Sequence, residues 1–370
     1  MKIGILTFHC ATNYGAVLQT YGLKEVLCRM GHDVRVIDYR PGYLVDAYKT
    51  WQGRPGFKSL VKSYGWSLWI DFLINNYRKE IRNRKFELFV ERHLSLDKKT
   101  LSKSIQEYDV IVCGSDQIWN PYITGYQLDN AFFGILPNAS NAKLVSYAAS
   151  VGHIVNLRGY EKVFVDKLKH LSSISVRENN LADYILSLNS GFSVDVVVDP
   201  TILAGINVFE TLCAKRSLIK GSYLLYFDLF NDSRLRQTAK LIAKEKKLQF
   251  IELTTYHERV AGQKILAPAS PNEFCTLFKY ADYIICASFH GMVFSILFNR
   301  QFVVYANPER GLDRFVSFLN DVGLSDRLIK SYAQLENLQI VSKVVDYDTV
   351  NSQLMRMQNH SLNWLRKALV

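Results

Sequence analysis

The sequence predicts an α/β protein with two doubly wound sheets. Short apolar runs alternate with amphipathic helical patterns in both halves of the chain, and this alternation predicts parallel strands joined by right-handed crossovers. The length of 370 residues suits two domains. Hydrophobic residues make up 48% and charged residues 21%, which excludes wholesale disorder and fibrous repeats.

The first 40 or so residues predict a strand–helix–strand unit. Lys2–Phe8 is a short apolar run that predicts a buried strand. Apolar residues at helical spacing predict a helix over Gly15–Met30, which Gly31 ends as the residue after the C-cap. Val34–Ile37 is the second predicted strand.

A basic, aromatic segment follows. Arg54–His93 holds nine basic, four acidic and eight aromatic residues, and two amphipathic helices are predicted over Ser67–Asn76 and Tyr77–Leu94. One interpretation is a surface that rests on anionic lipid. The other is a solvated helical face whose aromatic residues pack on the sheet.

Strand and helix patterns then resume and continue through the second half. Ser270, Pro271 and Glu273 form an N-terminal capping pattern with proline at the first helical position. The predicted strands are Asp109–Cys113, Lys143–Tyr147, Ile174–Val176, Val194–Val198, Tyr223–Phe227, Phe250–Leu253, Tyr283–Cys286 and Phe302–Tyr305. The predicted helices are Leu157–His170, Asn180–Leu188, Asp232–Lys246, Ser270–Tyr280, His290–Phe298 and Asp346–Leu369.

These patterns give a domain plan. Residues 1–205 are predicted to form an N-terminal Rossmann-like domain with a basic helical insertion at about 54–95. Residues 206–345 are predicted to form a second Rossmann-like domain, and 346–370 a C-terminal helix that packs back on the first.

The formal net charge is +11, which suits an acidic substrate, an anionic membrane surface or nucleic acid. No base-reading motif is present, so nucleic acid is not expected as a partner.

The sequence contains no run of about 18 apolar residues, so no transmembrane helix is expected. The six cysteines are scattered without a CxxC pair, which favours a reducing cytoplasm and gives no sign of a metal site.

Open α/β sheets bind ligands at the carboxyl ends of their strands, so the residues after each strand are the candidates. After the first strand, Asn13, Tyr14 and Gln19 lie at the start of a helix, which favours anions and hydroxyls; a plain N-cap is the alternative. After Asp109–Cys113, a loop with Asp116, Gln117 and Trp119 combines groups for sugar hydroxyls with an indole for a ring face. Its alternative is a turn with a core tryptophan.

Three later strands end in further candidates. Arg177 could clamp a carboxylate or phosphate, or form a surface pair with Glu178. Asp199 could face a ligand or cap the next helix. Ser288, His290 and Gly291 open a helix that could hold an anion, and Arg310 and Arg314 add positive charge after the next strand.

Taken together, these motifs resemble those of the bacterial polysaccharide pyruvyl transferases over about residues 2–328. The segments that carry the resemblance are Ile5-Leu6-Thr7, Asn13-Tyr14-Gly15-Ala16-Val17-Leu18-Gln19, Cys113-Gly114-Ser115-Asp116-Gln117-Ile118-Trp119-Asn120, Ser175-Val176-Arg177-Glu178, Val198-Asp199-Pro200-Thr201, Ala281-Asp282-Tyr283 and Ser288-Phe289-His290-Gly291.

The resemblance implies a GT-B-like fold, with two Rossmann-like domains facing a cleft, the first on the acceptor side and the second on the donor side. It implies transfer of pyruvate from phosphoenolpyruvate onto two hydroxyls of one sugar as a cyclic ketal, with no cofactor beyond that co-substrate. His290 and Arg177 match the donor-binding positions. Some members carry an arginine where this chain has Ser288, so Arg310 or Arg314 would have to supply that charge.

The expected site residues therefore fall into three groups. His290, Asp116 and Asp199 are the candidate acid and base groups. Donor binding is expected from Arg177, His290, Ser288, Gly291, Arg310 and Arg314, and acceptor binding from Asn13, Tyr14, Gln19, Gln117 and Trp119.

The expected acceptor is a hexose such as galactose in a polysaccharide repeat unit carried on a lipid. The expected location is the cytoplasm, with peripheral contact at the inner face of the plasma membrane as a further possibility. The competing function is a GT-B glycosyltransferase that uses a nucleotide sugar.

Overall fold

The computed structural model of the chain describes residues 1–50, 57–98, 108–136, 142–152, 156–189, 191–254, 268–306, 312–336 and 341–370. Side chains are described at these positions except 57–72, 254 and 313. The chain divides into two compact units. Unit 1 comprises residues 1–47, 90–211 and 347–370, and unit 2 comprises 48–89 and 212–346.

Unit 1 is built on a seven-stranded parallel sheet with the strand order β3-β2-β1-β4-β5-β6-β7. Its strands are β1 (Lys2–Leu6), β2 (Asp33–Ile37), β3 (Leu96–Asp97), β4 (Val110–Asp116), β5 (Lys143–Ala149), β6 (Ser173–Val176) and β7 (Val194–Val196). The order reverses between β1 and β4, which pair in parallel from Ile3 with Val110 to Leu6 with Cys113. This reversal is the switch point at which doubly wound sheets bind ligands.

Unit 2 is built on a five-stranded parallel sheet with the order β12-β11-β10-β8-β9. Its strands are β8 (Tyr223–Asp228), β9 (Gln249–Thr254), β10 (Tyr283–Ala287), β11 (Gln301–Tyr305) and β12 (Leu328–Ile329). The switch point lies between β8 and β10, where Asp228 pairs with Ala287 at the carboxyl ends. Both central strands are buried throughout, as expected for strands covered on both faces.

Helices connect the strands in both units. They are α1 (Tyr14–Arg29), α2 (Gly42–Asp46), α3 (Phe57–His93), α4 (Glu161–Leu168), α5 (Asn179–Leu188), α6 (Pro200–Ala204), α7 (Ile206–Glu210), α8 (Ser233–Glu245), α9 (Pro271–Tyr280), α10 (Phe289–Leu297), α11 (Asp313–Asp321), α12 (Tyr332–Glu336) and a C-terminal helix (Tyr347–Leu369). Short 3₁₀ helices cover Asn130–Phe133 and Ser325–Arg327.

The basic segment differs from its prediction. It forms one helix, α3, of 37 residues instead of two. The reason is local: between Ser67 and Leu94 the sequence has no glycine or proline to break a helix. Residues 48–89 also belong with unit 2, whereas the sequence suggested an insertion into the N-terminal domain.

The chain leaves unit 1 after Thr211 and returns to it for the C-terminal helix. That helix is fixed by side-chain hydrogen bonds to the last strand of the first sheet and to the segment that follows that strand. Ser361 Oγ accepts from Val198 N at 3.0 Å, and Trp364 Nε1 donates to Asp195 Oδ2 at 2.8 Å. These bonds place the C-terminal helix at the β7 side of the sheet.

Candidate functional site

The switch point of the first sheet carries a strained aspartate. Asp116 ends β4 with a φ of 78°, an uncommon backbone conformation for a residue with a side chain. Its Oδ1 accepts from Gln117 N at 2.8 Å, and the side chain is partly exposed. On the neighbouring strand β5, Ala148 has a φ of 52° and the register shifts between Ser146 and Ala149. Such strain clusters at functional sites, so this edge is the candidate site of unit 1.

Arg177 lies in a buried ionic cluster at the same edge. Its Nε donates to Glu178 Oε1 at 2.9 Å, one terminal nitrogen donates to Asp199 Oδ2 at 2.9 Å, and the other to Ser150 Oγ at 3.2 Å. The Arg177 side chain is only 5% exposed. Burial alone would lower the pKa of this guanidinium, but the carboxylates of Glu178 and Asp199 raise it above its ordinary value.

Asp199 was expected as an acid or base, but both of its oxygens are occupied by hydrogen bonds within the fold. Its Oδ1 accepts from the backbone and hydroxyl of Thr201, so it caps α6, while its Oδ2 accepts from Arg177 and Ser115. The side chain is fully buried. Arg177 was expected to bind the donor. Its buried guanidinium is instead paired with the carboxylates of Glu178 and Asp199.

The buried cluster continues toward β1. Gln19 Nε2 donates to Thr7 Oγ1 at 2.9 Å, and that hydroxyl donates to Ser115 O at 2.8 Å. Gln19 is fully buried and is therefore a supporting residue instead of the expected acceptor ligand. Gln19 Oε1 and Glu178 Oε2 have no hydrogen-bond partner in the described part of the chain.

The start of α1 combines a cap with a buried ring. Asn13 Oδ1 accepts from Gly15 N and Ala16 N, which confirms the N-cap interpretation, and Asn13 stays partly exposed. Tyr14 is only 2% exposed, so it lies in the core instead of at an acceptor site.

Trp119 is also a core residue, contrary to the expected sugar platform. It is fully buried, its indole stacks on Phe133 at 5.2 Å, and its Nε1 donates to Phe132 O at 2.9 Å. These partners lie 13 and 14 residues further along the chain, so no local pattern reveals them. Gln117 remains partly exposed, with its Oε1 bound to Asn120 Nδ2 at 2.9 Å.

Two polar groups that the sequence did not single out lie at the carboxyl ends of β1 and β2. His9 Nε2 contacts Asp38 Oδ1 at 2.9 Å, and Arg40 Nε donates to the same oxygen at 2.6 Å. Burial alone would raise the pKa of Asp38, but the bonds from His9 and Arg40 hold it below its ordinary value. Position directly after a strand was the signal that could have found both groups.

A second polar cluster near the same edge consists of two tyrosines and an aspartate. Tyr39 and Tyr43 both donate their hydroxyls to Asp129 Oδ2, at 2.7 and 2.5 Å. Burial and the bond to Asp129 raise the pKa of both phenols, so they stay neutral donors. Besides the ion pair of Arg40 with Asp38, this edge of unit 1 therefore carries neutral and acidic hydrogen-bonding groups, which suit hydroxylated ligands.

In unit 2, His290 lies in the first turn of α10 at the switch point of the second sheet. Ser288 caps the helix, its Oγ accepting from Gly291 N at 3.4 Å, and is 5% exposed. Asp228 ends the neighbouring strand and accepts from Phe230 N and Asp232 N, so it organises the loop after β8. Helix N-termini favour anions, so this turn is the candidate anion site.

Gly291 is among the residues expected to bind the donor, and its surroundings give it a packing role. A Cβ at this position would lie 3.0 Å from the Phe227 ring and 3.1 Å from Cys286 Cβ. The glycine therefore lets α10 pack closely on β8 and β10, and Gly291 itself is buried.

One of the two candidate arginines lies near this turn. The Arg314 guanidinium carbon is 5.5 Å from the Phe289 ring centroid, and that ring meets His290 edge to face at 5.6 Å. Arg310 lies outside the described residues.

Among the described residues, no group of three or more His, Cys, Asp or Glu side chains could hold a metal ion. No described helix is both long and apolar enough to cross a membrane.

Comparisons with known proteins agree with this architecture. The UDP-GlcNAc 2-epimerase of Neisseria meningitidis, solved with UDP-GlcNAc, is 9% identical with a TM-score of 0.52, and the match covers 100% of this chain and 99% of that one. The UDP-GlcNAc 2-epimerase of Methanocaldococcus jannaschii is 12% identical with a TM-score of 0.50, covering 97% of this chain and 100% of that one. These likenesses confirm the α/β, GT-B-like fold class.

No curated protein matches the chain significantly. The family model described as polysaccharide pyruvyl transferase matches residues 13–309, which include every segment of the resemblance except Ile5-Leu6-Thr7. The chain belongs to the polysaccharide pyruvyl transferase family.

Proposed function

We propose that the protein transfers pyruvate from phosphoenolpyruvate onto two hydroxyls of one sugar in a polysaccharide repeat unit. Family membership supports pyruvyl transfer to a polysaccharide. The single observation that carries the donor assignment is the position of His290 in the first turn of α10, at the switch point of the second sheet. Helix amides and an imidazole at this place suit a phosphate.

Phosphoenolpyruvate carries close to three negative charges, so its site needs several donors. In unit 2, we assign that role to the α10 N-terminus, His290, the nearby Arg314 and Arg310. Arg177 is already bonded to Glu178 and Asp199, so we assign it to holding the carboxyl edge of the first sheet.

The reaction balances without a cofactor. A proton adds to the methylene carbon of the enol, the first sugar hydroxyl adds to the neighbouring carbon, and the C–O bond to phosphate breaks. The second hydroxyl then closes the ketal. The two hydroxyls release two protons, one of which replaces the proton taken by the methylene carbon while the other leaves with phosphate.

We assign the acid role to His290 and the base role to Asp116. Asp116 is partly exposed at the strained end of β4, whereas Asp199 is buried and bonded through both oxygens. A base must reach the hydroxyl proton within hydrogen-bond distance, which a buried, ion-paired carboxylate does not do.

The acceptor in this proposal is a hexose such as galactose on a lipid-linked oligosaccharide, handled in the cytoplasm. The carboxyl edge of the first sheet offers Asn13, Gln117 and the neutral phenols of Tyr39 and Tyr43 as groups for hydroxyls. Peripheral membrane contact through α3 is less well supported, since Lys85 is paired with Glu273, Lys79 donates to Lys49 O and Arg82 is buried.

Mass spectrometry tests the proposal. The protein is incubated with phosphoenolpyruvate and either nitrophenyl galactosides or lipid-linked galactosides, and the product is examined for the added pyruvyl mass with release of inorganic phosphate. We expect both with wild type, and about a hundredfold less of each over the same time with His290→Ala. Phosphate release without a pyruvylated sugar, or no reaction with any acceptor, would contradict the proposal.

The alternative function is transfer of a sugar from a nucleotide. The observation in its favour is the likeness in fold to an epimerase solved with UDP-GlcNAc. Incubation with UDP-GlcNAc in place of phosphoenolpyruvate separates the two, because release of UDP with glycosylation of the acceptor would support the alternative.

A further inference from the structure

Two exposed tyrosines follow the candidate site of unit 1. Tyr122 is 64% exposed and Tyr126 is 76% exposed, in the loop after β4. Their ring centroids are 6.2 Å apart and the ring planes are perpendicular. We call Tyr122 and Tyr126 the tyrosine pair. An exposed pair of aromatic rings that follows the carboxyl end of a sheet strand is a candidate surface for a ligand.

The loop that carries the tyrosine pair is held in place by its own hydrogen bonds. Asn120 Oδ1 accepts from Tyr122 N at 3.0 Å, Asn120 Nδ2 donates to Gln117 Oε1, and Thr124 Oγ1 donates to Asn120 O at 3.0 Å. Trp119 anchors the loop in the core. The loop backbone that presents the rings is therefore ordered before any ligand arrives, which lowers the entropic cost of binding.

Tyr126 is held in an unfavourable backbone conformation. Its φ is 58°, and it follows Gly125 with a φ of 73°. Tyr126 N donates to Pro121 O at 2.7 Å, and Tyr160 donates its hydroxyl to Tyr126 O at 3.0 Å. A bulky residue in this region costs free energy, so the surrounding bonds maintain a strained turn that exposes an aromatic ring.

The tyrosine pair is continuous with the polar edge of unit 1. Gly125 lies against the ring of Tyr43, since a Cβ there would be 3.2 Å from Tyr43 Cδ1, and Tyr43 in turn donates to Asp129. At the other end of the loop are Asp116 and Gln117. Both ends of the loop thus meet groups proposed for the acceptor.

The charge of the loop selects among ligand classes. Residues 117–128 contain no lysine or arginine, and the flanking residues are Asp116 and Asp129. A phosphate, an anionic lipid or a nucleic acid would meet no cation in this loop and two carboxylates beside it. Neutral hydroxylated molecules suit both the carboxylates and the aromatic faces.

We propose that the tyrosine pair binds a pyranose ring of the acceptor glycan, stacking one sugar face on a tyrosine ring. The proposal rests on the proposed function in taking the acceptor to be a sugar. It adds a subsite that recognises glycan through ring faces, apart from the hydroxyls that receive pyruvate. Its consequence is that longer acceptors bind better than single sugars.

The test measures binding without phosphoenolpyruvate, so that it is independent of catalysis. Saturation-transfer NMR titrations use methyl β-galactoside and lactose with wild type, Tyr122→Ala, Tyr126→Ala and the matched Phe variants. The control is Tyr77→Ala, a tyrosine of α3 that is 65% exposed in unit 2. We expect the Ala variants to weaken lactose binding about fivefold to tenfold, and the Phe variants and the control to bind as wild type.

Several outcomes would overturn the proposal: no binding of either sugar by folded wild type at millimolar concentration, equal binding by the Ala variants, or loss of binding in the control. A role in membrane contact would instead show as weaker sedimentation of Tyr122→Ala with phosphatidylglycerol vesicles and unchanged sugar binding. Wild type that binds lactose through the tyrosine pair but transfers no pyruvate would contradict the proposed function and leave this subsite standing.

Discussion

At the scale of single residues, we have proposed that the buried guanidinium of Arg177 supports the sheet edge instead of binding the donor. It neutralises Glu178 and Asp199, and removing one partner from a buried ion cluster leaves an uncompensated charge. We expect Arg177→Met to lower the free energy of unfolding by about 3–5 kcal/mol, measured by urea denaturation. Arg216→Met, at an exposed position, is the matched control and should change stability by less than about 0.5 kcal/mol.

The same variant tests the donor assignment. If Arg177→Met unfolds at the wild-type urea concentration yet no longer binds phosphoenolpyruvate, Arg177 is a direct donor ligand and its supporting role is wrong.

His290 carries the second residue-scale prediction. We have proposed that His290 donates a proton to the reacting donor. On that proposal, His290→Ala should reduce the rate of pyruvyl transfer on the order of a hundredfold or more. His290→Gln separates its two roles, because an amide can donate a hydrogen bond to phosphate but cannot transfer a proton. We therefore expect Gln to restore part of the phosphoenolpyruvate affinity while the turnover rate stays low.

Circular dichroism of both variants checks that α10 and the sheet remain folded. A folded His290→Ala protein that transfers pyruvate at the wild-type rate would remove His290 from the mechanism.

The residue scale is also where the sequence was least informative. Position after a strand predicted the places of Asp116 and His290, because parallel strands bring their carboxyl ends to one edge. The same rule could not tell exposed from buried groups. Trp119 and Gln19 both come after strand ends in the sequence. Both are nevertheless buried, with hydrogen-bond partners 13 and 12 positions away in the chain.

At the scale of elements, sequence periodicity predicted most strands of three or more residues to within about three positions at either end. It missed β3 and β12, which have only two residues each, too few for a periodic pattern. It also divided α3 in two. The apolar pattern weakens near Asn76, but helix continuity there depends on the absence of a breaker.

The N-terminus of α9 gives an element-scale prediction. The capping box predicted from the sequence is confirmed: Glu273 N donates to Ser270 Oγ at 3.2 Å, and Glu273 Oε2 accepts from Ser270 N at 2.6 Å and from Lys85 Nζ at 2.7 Å. Burial alone would raise the pKa of Glu273, but the bonds from Lys85 and Ser270 hold it below the ordinary value of 4.5. Its contribution to stability is therefore present above 4.5 and is lost as the pH falls through the lower folded value.

We expect Glu273→Gln to cost no more than about 1 kcal/mol at neutral pH, because the carboxylate is partly exposed and the amide can keep the capping bond. The variant should lose less stability than wild type on acidification, measured by urea denaturation at pH values above and below 4.5. Glu245→Gln, an exposed glutamate of α8, is the control and should follow wild type. Equal acid sensitivity of wild type and Glu273→Gln would contradict the role given to this carboxylate.

At the scale of the whole molecule, the distribution of the net charge of +11 indicates more about ligands than its size does. At the carboxyl edge of the first unit's sheet, Arg177 and Arg40 are paired with carboxylates, and the tyrosine-bearing loop has no cation. In the second unit, Arg314 lies by the helix start that carries His290. This asymmetry favours an anionic donor on the second unit and a neutral acceptor on the first.

The asymmetry gives a prediction for the intact protein. A ligand that binds only the folded state stabilises it by about 2.7 kcal/mol when present at a hundred times its dissociation constant. Phosphoenolpyruvate should therefore raise the melting temperature of wild type in a thermal-shift assay. The rise should be smaller for His290→Ala and for Arg314→Gln, which lose charge or hydrogen bonding at the anion site, and undiminished for Tyr122→Ala. UDP-GlcNAc at the same concentration is the discriminating ligand. A clear shift with UDP-GlcNAc and none with phosphoenolpyruvate would contradict the proposed donor and favour a nucleotide-sugar enzyme. The reason is that the rise in melting temperature reports which of the two anions the folded protein binds.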